Sequence, residues 1–492
     1  MSETPYLLRR IAGDSSLAFF SKLLAALLGF LTNLVMARLY GAETMGIYFI
    51  VINLLTIASA FCCLGLDTGL LRFTAALKAD GKLAELRKLL WPSLGVVAIL
   101  GWLAAASIYG FGDWLAERFH SPNLTAVLNI MVLALPVAIV SLLLCETIRA
   151  LGGVRWVIIQ QHMLTPLIFL ILLLILAQAG HYGEEGSRPL ALAYLLSTLL
   201  GLIFLAVWPG LIVRQQELSV GTTSFFDLLR YSWPLFLGNV LWLGQSGLDS
   251  LILGWFTSPE DVAYFNIATR TAPLVTFPLL AVNMVVPPLF AQFHQRGDLK
   301  GLERVSQTTA RWMYFVALPL ALVIILLAPD ILGLFGPNFT KARFALSVLA
   351  LGQLINVASG SVGFILAMTG QQWAIITMLA ITSGIMIPLL ALSAAAFGLY
   401  GLALVSAGGI AGINILLAWA VWRRLRIKPF AQGVGRANLS GLLGVGLFFL
   451  SKPYLGTLGG AACFSLGYLA LTAKTIRHEL TGILQGQVGS EG

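Results

Sequence analysis

Long runs of apolar residues, separated by short polar stretches, follow one another along almost the whole chain. A helix needs about 20 consecutive apolar residues to cross the hydrocarbon core of a membrane. By that criterion the pattern predicts an all-α polytopic membrane protein with about fourteen transmembrane helices. Their expected bounds are 16–37, 46–71, 91–111, 124–147, 156–179, 189–213, 228–256, 262–290, 312–335, 344–369, 373–396, 398–422, 437–451 and 455–473.

Composition and charge strengthen this interpretation. Of the 492 residues, 58% are hydrophobic and 10% are charged, whereas about a quarter of an ordinary soluble domain is charged. With the N-terminus placed in the cytoplasm, 22 of the 30 basic residues fall in cytoplasmic segments and six in outer loops. This asymmetry follows the positive-inside rule and predicts that both termini are cytoplasmic.

The sequence also contains an internal repeat. A shift of 216 residues aligns 46–87 with 262–303 at eight identities, and a shift of 217 matches five of ten positions around Gly153 and Gly370. Six helices duplicated in one orientation predict two six-helix bundles related by a pseudo-twofold axis along the membrane normal. The expected division is an N-lobe at 1–213, a cytoplasmic linker at 214–226, a C-lobe at 227–436, and two further helices with the tail at 437–492.

Charged side chains inside the spans are candidates for function, because a charge in hydrocarbon is costly. Lys22 lies about six residues into the first span and shares a helical face with Asn33. The alternative for Lys22 is that its long side chain reaches the headgroups. Asp249 and Arg270 lie at similar depth in the seventh and eighth spans. They are expected to form an ion pair, which either is static and only fixes packing, or is switchable and faces a cavity where Arg270 attracts an anionic head group and Asp249 carries a coupling cation.

Two further pairs of charges end spans on the side expected to be cytoplasmic. Glu146 and Arg149 end the fourth span, and Asp67 and Arg72 end the second. Each pair is open to two interpretations: an ordinary interfacial salt bridge, or part of an inner gate or of a basic vestibule for phosphate.

Prolines crowd the eighth span. They are Pro273, Pro278, Pro287 and Pro288. Each removes a backbone hydrogen bond, so the span is predicted to be kinked and to move.

No catalytic constellation is apparent. The chain has no P-loop, no G-x-S-x-G elbow and no H-E-x-x-H motif, and no two of its five histidines have metal-ligand spacing. We therefore expect no enzymatic activity, no cofactor, no metal and no nucleic-acid partner.

Several short segments resemble one family of transporters. They are Phe20-Ser21-Lys22, the run from Ala37 to Glu43, Gly46-Ile47-Tyr48, the run from Leu64 to Asp67, Arg72-Phe73, and the run from Leu229 to Phe236. Together they resemble the starts of the two halves of Wzx-type polysaccharide flippases, in the multidrug/oligosaccharidyl-lipid/polysaccharide (MOP) exporter superfamily.

The resemblance implies a function. Such a protein moves undecaprenyl-diphosphate-linked oligosaccharide across the bacterial cytoplasmic membrane by alternating access, for O-antigen, capsule or exopolysaccharide synthesis. Its partners are that substrate and membrane lipid, and polymerase and chain-length proteins are also implied. The candidate substrate-binding residues are Lys22, Asn33, Arg149 and Arg270. The candidate ion-coupling or gating residues are Asp67, Arg72, Glu146 and Asp249.

Three other functions stay open at this point. A lipid II flippase of the MurJ type shares the superfamily and the fourteen helices. A cation-coupled multidrug exporter of the MATE type shares the superfamily with twelve helices. A non-transporting scaffold of a polysaccharide synthesis complex suits the hydrophobic helices but gives no purpose to Lys22, Asp249 and Arg270.

Overall fold

The structure is a computed structural model that describes residues 4–178, 187–208, 224–246, 248–431 and 433–484. No β-strand occurs in these ranges. Up to residue 208 the helices are α1 (Thr4–Val35), α2 (Gly41–Cys63), α3 (Leu66–Ala79), α4 (Leu86–Gly110), α5 (Gly112–Arg118), α6 (Leu124–Met131), α7 (Ala134–Ala150), α8 (Val154–Ile159), α9 (Thr165–Gln178) and α10 (Ser187–Ala206).

The remaining helices are α11 (Phe225–Ser246), α12 (Leu248–Phe256), α13 (Pro259–Thr271), α14 (Phe277–Asn283), α15 (Pro287–Gln295), α16 (Leu299–Leu326), α17 (Ala328–Gly333), α18 (Arg343–Ala358), α19 (Val362–Met368), α20 (Gln372–Leu425) and α21 (Gly435–Leu484). Wider π-helical turns at Met36–Tyr40 and Gln160–Leu164 join α1 to α2 and α8 to α9.

The predicted spans coincide with these helices. Nine helical stretches in the described ranges are long and apolar enough to cross a membrane, and α6 with α7, bent by 42°, makes a tenth. Phe20–Cys63, Gln372–Leu425 and Gly435–Thr472 each overlap two of the predicted spans, and α11 with α12 overlaps the seventh. Each of the fourteen expected spans overlaps described helical segments, residues 179, 209–213 and 247 lying outside the described ranges, and the prediction of an all-α polytopic membrane protein is confirmed.

The two longest helices are each two spans joined by one residue. The chain reverses in α20 at Gly398, with φ of +54°, and in α21 at Gly456, with φ of +71°. Beyond the first reversal, a Cβ on Gly401 would lie 2.5 Å from the carbonyl oxygen of Ser393, so the chain folds back sharply. The two parts of α21 share a small core of Phe448, Ala461 and Phe464.

Several spans expected to be continuous are broken. The second divides into α2 and α3 at Leu64 and Gly65, and the fourth divides into α6 and α7. The eighth divides into α13, a 3₁₀ turn, α14 and α15, with Pro273, Pro278 and Pro287 at or near the starts of the later pieces. The kinks predicted from these prolines are confirmed, whereas the break in the second span was not predicted.

The chain forms two compact units: Met1–Asn266 with Ser383–Leu402, and Ile267–Thr382 with Ala403–Gly492. In the first unit, α7 packs against α3, α4 and α10. In the second, α16 packs against α18 and α21, and a core of buried apolar side chains joins α15, α16, α19 and α20. The expected lobe boundary at 214–226 stays a prediction, because the first ten residues of that linker lie outside the described residues.

The internal repeat is visible in the ends of two helices. α3 and α15 end 216 residues apart, and each is followed by a glycine with φ of +70°, Gly81 and Gly297. The backbone N–H of Lys82 and that of Asp298 each donate to the carbonyl five residues earlier, at 2.9 and 3.0 Å. Both helices thus end in the same left-handed cap.

The second stretch of the repeat needs a shift of 218, one residue more than the identities suggested. The left-handed glycines after α7 and α19 are Gly152 and Gly370, with φ of +96° and +74°. The N–H groups of Gly153 and Gln371 each donate to the carbonyl five residues earlier, both at 2.8 Å. Gly370 is therefore equivalent to Gly152 and not to Gly153.

Candidate functional site

A cavity of about 340 Å³ lies inside the first compact unit. Apolar side chains of α2 and α7 form much of its wall. The polar side chains that line it are Thr56, Ser59, Asp67, Tyr194 and Asn239. Of the described residues in this wall, Asp67 alone carries a charge, so the cavity suits a cation or a neutral polar group better than a phosphate.

The break in the second span places Asp67 at this wall. Leu64 and Gly65 both take left-handed backbone conformations, with φ of +49° and +74°. The new helix, α3, begins at Leu66, and Asp67 lies in its first turn, where the helix dipole favours a carboxylate. Oδ1 of Asp67 is buried and has no hydrogen-bond partner among the described residues. It is available to a ligand in the cavity.

A group of charged and amide side chains lies next to Asp67. Nη1 of Arg149 donates to Oε1 of Glu146 at 2.6 Å, and its Nη2 donates to Oε1 of Gln161 at 3.5 Å. The charge of Asp67 also acts on Glu146. The salt-bridge interpretation of Glu146 and Arg149 therefore holds, and the pair belongs to a larger set. We call Asp67, Glu146, Arg149, Gln161 and His162 the polar cluster.

The first helix brings Lys22 to the same region. α1 packs along α9 and the π-helical turn that carries Gln161 and His162. The charges of Lys22 and Arg149 both act on His162. The Lys22 side chain is exposed, whereas Asn33, further along α1, is buried with 7% exposure. The helix that carries Lys22 thus packs against the turn whose Gln161 accepts a hydrogen bond from Arg149.

Arg72 does not pair with Asp67. Its guanidinium carbon lies 4.3 Å from the centroid of the Tyr231 ring on α11, and Phe73 packs edge-on against the same ring at 5.7 Å. The salt-bridge interpretation is therefore wrong for Asp67 and Arg72. Five residues separate them along α3, so their side chains leave different faces of the helix.

Asp249 and Arg270 fall in different compact units. Asp249 is partly buried in the first turn of α12, and Arg270 is exposed near the end of α13. The expected ion pair between them stays a prediction.

Most of the cavity wall on α2 was not predicted from the sequence. Thr56, Ser59 and Cys63 line the cavity from α2, at spacings of three and four residues. Such small and hydroxyl-bearing side chains on one helical face were a readable signal for a polar wall. Tyr194 on α10 carried no such signal, because its place in the wall depends on packing between helices.

Two families match the chain. Residues 11–294 match the family described as "Polysaccharide biosynthesis protein", and residues 234–392 match MatE. The first match covers more than half of the 492 residues. The chain belongs to the polysaccharide biosynthesis protein family. As a member of that family with a MatE match, it is a MOP-superfamily membrane transporter, which confirms the broader part of the resemblance seen in the sequence.

Two archaeal proteins are similar to this chain in sequence. It is 21% identical over 370 residues to the uncharacterized membrane protein MJ1068 of Methanocaldococcus jannaschii, with 70% of each chain covered. It is 28% identical over 126 residues to the probable flippase AglR of Haloferax volcanii, with 26% of each chain covered.

Solved structures share the fold of this family member. One is the lipid II flippase MurJ in an inward closed conformation, with a TM-score of 0.73 at 12% identity, covering 94% of this chain and 99% of that one. Another is an inward-facing MATE multidrug resistance transporter of the MOP superfamily, with a TM-score of 0.70 at 15% identity, covering 82% and 94%. At these identities the likeness shows the fold alone.

Proposed function

We propose that this protein is a Wzx-type flippase that moves undecaprenyl-diphosphate-linked oligosaccharide from the cytoplasmic to the outer leaflet of a bacterial cytoplasmic membrane. The observation that carries the proposal is the match of residues 11–294 to the polysaccharide biosynthesis family. In the proposed arrangement both termini are cytoplasmic, and the two lobes are 1–213 and 227–436. The polymerase and chain-length proteins of the same pathway are the proposed partners.

The proposed substrate contacts follow from the charge of the diphosphate. Crossing hydrocarbon with that charge is costly unless cations and hydrogen-bond donors replace its water. Lys22, Arg149, Arg270 and Asn33 are the proposed contacts. Lys22 and Arg149 are supported by geometry, because α1 packs against the turn whose Gln161 accepts a hydrogen bond from Arg149.

Coupling and gating are assigned to Asp67, Glu146, Asp249 and Arg72. Asp67 has the strongest support, because its buried Oδ1 has no partner among the described residues and its side chain lines the cavity. A cation or proton bound there would change the charge beside Glu146 and Arg149. The polar cluster then links occupancy of the cavity to the candidate substrate cation Arg149.

Two observations favour a second candidate, a cation-coupled multidrug exporter of the MATE type. Residues 234–392 match MatE. The cavity wall, as far as it is described, carries a carboxylate and no cation, which suits an organic cation. The fold likeness to MurJ keeps a lipid II flippase as a further alternative without selecting its substrate.

The deciding experiment locates the lipid-linked oligosaccharide in a strain that lacks this gene and any redundant flippase. We expect the glycan to accumulate on the cytoplasmic face and to reach the outer face when the gene is restored. Delivery to the outer face without the gene would contradict the proposal. Accumulation of lipid II, or sensitivity to cationic drugs with normal glycan delivery, would select one of the other candidates.

The site is tested in the restored strain. Lys22→Ala, Asp249→Ala and Arg270→Ala are each expected to reduce polysaccharide output at normal protein level. Leu23→Ala is the matched control, because Leu23 is exposed on the same helix next to Lys22. Full output from all three charge variants would remove these residues from the site.

A further inference from the structure

The connection between α20 and α21 is held against the first turns of α16, within the second compact unit. The backbone N–H of Lys428 donates to Oε1 of Glu303 at 2.8 Å, and Nε2 of Gln307 donates to the carbonyl oxygen of Lys428 at 2.9 Å. Ile427, the residue before Lys428, is buried in the core that α15, α16, α19 and α20 share. The Lys428 side chain is exposed. The fold therefore fixes the backbone from which this cation projects.

The connection stays beside α16 as it continues towards α21. Nη1 of Arg311 lies 3.5 Å from the position that a Cβ on Gly433 would take. Arg436 is exposed three residues later. The hydroxyl of Tyr314 on α16 donates to Oδ1 of Asn438 on α21 at 2.8 Å. The two helices are thus tied together within one turn of both arginines.

Three cations lie along this path, and we call Arg311, Lys428 and Arg436 the basic seam. Arg311 and Arg436 each stand directly before an expected span. In the predicted topology they therefore lie on the cytoplasmic side, at the depth of the lipid head groups. An excess of cations there is common to membrane proteins. What goes beyond that rule is that hydrogen bonds hold these three cations beside one helix.

The basic seam has little acidic charge around it. From 304 to 472 the sequence contains one acidic residue, Asp330, and it accepts a hydrogen bond from Thr457 beyond the far end of α16. Glu303 is close to the seam, but its Oε1 already accepts hydrogen bonds from the Lys428 backbone and from the Gln307 amide. Like charges that are held close together repel one another, so a bound anion would stabilise the seam.

Apolar side chains beside the seam favour a lipid over a soluble anion. Phe430, in the connection, and Trp422, near the end of α20, are each 44% exposed. Cations next to exposed aromatic rings fit the boundary between phosphate head groups and acyl chains. We propose that the basic seam binds the head group of an anionic phospholipid of the cytoplasmic leaflet. The lipid is a resident one, so the proposal does not depend on which substrate the protein transports.

Binding is measured as the thermal unfolding of the purified full-length protein in detergent with added lipid. Phosphatidylglycerol should raise Tm, because a ligand of the folded state stabilises it. Phosphatidylcholine, which has a phosphate but no net charge, and inorganic phosphate should leave Tm unchanged at the same concentration. A shift from either control equal to that from phosphatidylglycerol would overturn the proposal. A shift from undecaprenyl phosphate with none from phosphatidylglycerol would assign the seam to the substrate, and would also overturn it.

Removing two cations locates the site. In Arg311→Gln with Arg436→Gln, the apparent affinity for phosphatidylglycerol should fall about 30-fold, because each cation near an anionic surface contributes about fivefold. Lys82→Gln with Arg87→Gln is the matched control, since it removes the same charge from exposed positions of the first compact unit. The control should bind like the parent. Equal losses in the two double variants, or no loss in the first, would overturn the site.

Two variants of Glu303 separate a fixed site from diffuse attraction, and neither removes a cation. Glu303→Gln and Glu303→Ala both take away one negative charge, so diffuse attraction alone would strengthen binding equally in both. Glutamine keeps an oxygen that can accept from the Lys428 N–H, whereas alanine does not. We expect Glu303→Gln to bind phosphatidylglycerol at least as tightly as the parent, and Glu303→Ala to bind about fivefold more weakly. Equal affinities in the two variants would overturn the proposal even if the double arginine variant does not accumulate.

Discussion

The two halves of the chain use the same repeat position in different ways. The 216-residue offset pairs Asp67 with Asn283. Oδ1 of Asp67 is buried without a hydrogen-bond partner among the described residues and its side chain lines a cavity. Oδ1 of Asn283 accepts a hydrogen bond from the Ser361 hydroxyl. One copy thus keeps an ionisable group available, and the other has a neutral amide whose oxygen is already paired.

We infer from this difference that Asp67 serves transport and that Asn283, at the equivalent position, serves stability. A buried carboxylate oxygen without a partner costs stability, so its presence needs a reason outside folding. A paired amide needs no such reason. We therefore expect changes at Asp67 to alter transport and changes at Asn283 to alter stability.

The largest effect on transport is expected when Asp67 is replaced by asparagine, the residue at the equivalent position of the second half. Asp67→Asn removes the charge while keeping the shape, so transport should fall about 100-fold, or roughly 2.7 kcal/mol, if the carboxylate carries the coupling ion. The measurement is outer-leaflet glycan per protein molecule. Asp80→Asn, exposed at the end of α3, is the control and should transport normally. Normal transport by Asp67→Asn would show that the difference between Asp67 and Asn283 has no role in transport.

The reverse exchange should damage stability. Asn283→Asp places a carboxylate in a half-buried position, and burying a charge without a cation costs about 2 kcal/mol or more. We expect a lower unfolding temperature of the purified protein, with no gain in transport. A variant that transports better than the parent would mean that both copies can hold a coupling ion.

A smaller effect is expected from Ser361→Ala. Removing the hydroxyl takes away one hydrogen bond to Asn283, worth about 1 kcal/mol. The unfolding temperature should fall slightly while transport per folded molecule stays the same. A clear transport defect at unchanged stability would show that the pair of Ser361 and Asn283 takes part in transport.

The smallest effect concerns the ion pair of the polar cluster. Arg149 is 38% exposed, so water screens its attraction to Glu146, and the pair contributes about 0.5 kcal/mol to stability. Glu146→Gln, Arg149→Gln and the double variant form a cycle that measures this coupling. We expect Arg149→Gln to reduce transport more than its small stability cost explains. If the loss of transport is no larger than the loss of stability explains, the pair is purely structural.

Hydropathy was sufficient to predict the membrane helices. About 20 apolar residues in a row leave few alternatives to a span, and every expected span overlaps helices in the described part of the chain. The break at Leu64 and Gly65 was beyond this reasoning, because Leu64 is apolar and gives no sign of its positive φ. The prolines of the eighth span did give such a sign, since proline removes a backbone donor whatever its surroundings.

The candidate site was only partly predictable. Charge in an apolar chain identified Asp67, Glu146 and Arg149, because such residues are costly wherever they lie. Their partners depend on packing between helices distant in sequence. Arg72 was expected to pair with the nearest acid, yet it lies against Tyr231, 159 positions away. An aromatic ring attracts a cation without any sign in the local sequence.

The single-residue reversal at Gly456 has a consequence for how the chain is made. Because Gly456 alone joins the two parts of α21, the turn between them is very short. We therefore expect the thirteenth and fourteenth spans to enter the membrane together, as one helical hairpin.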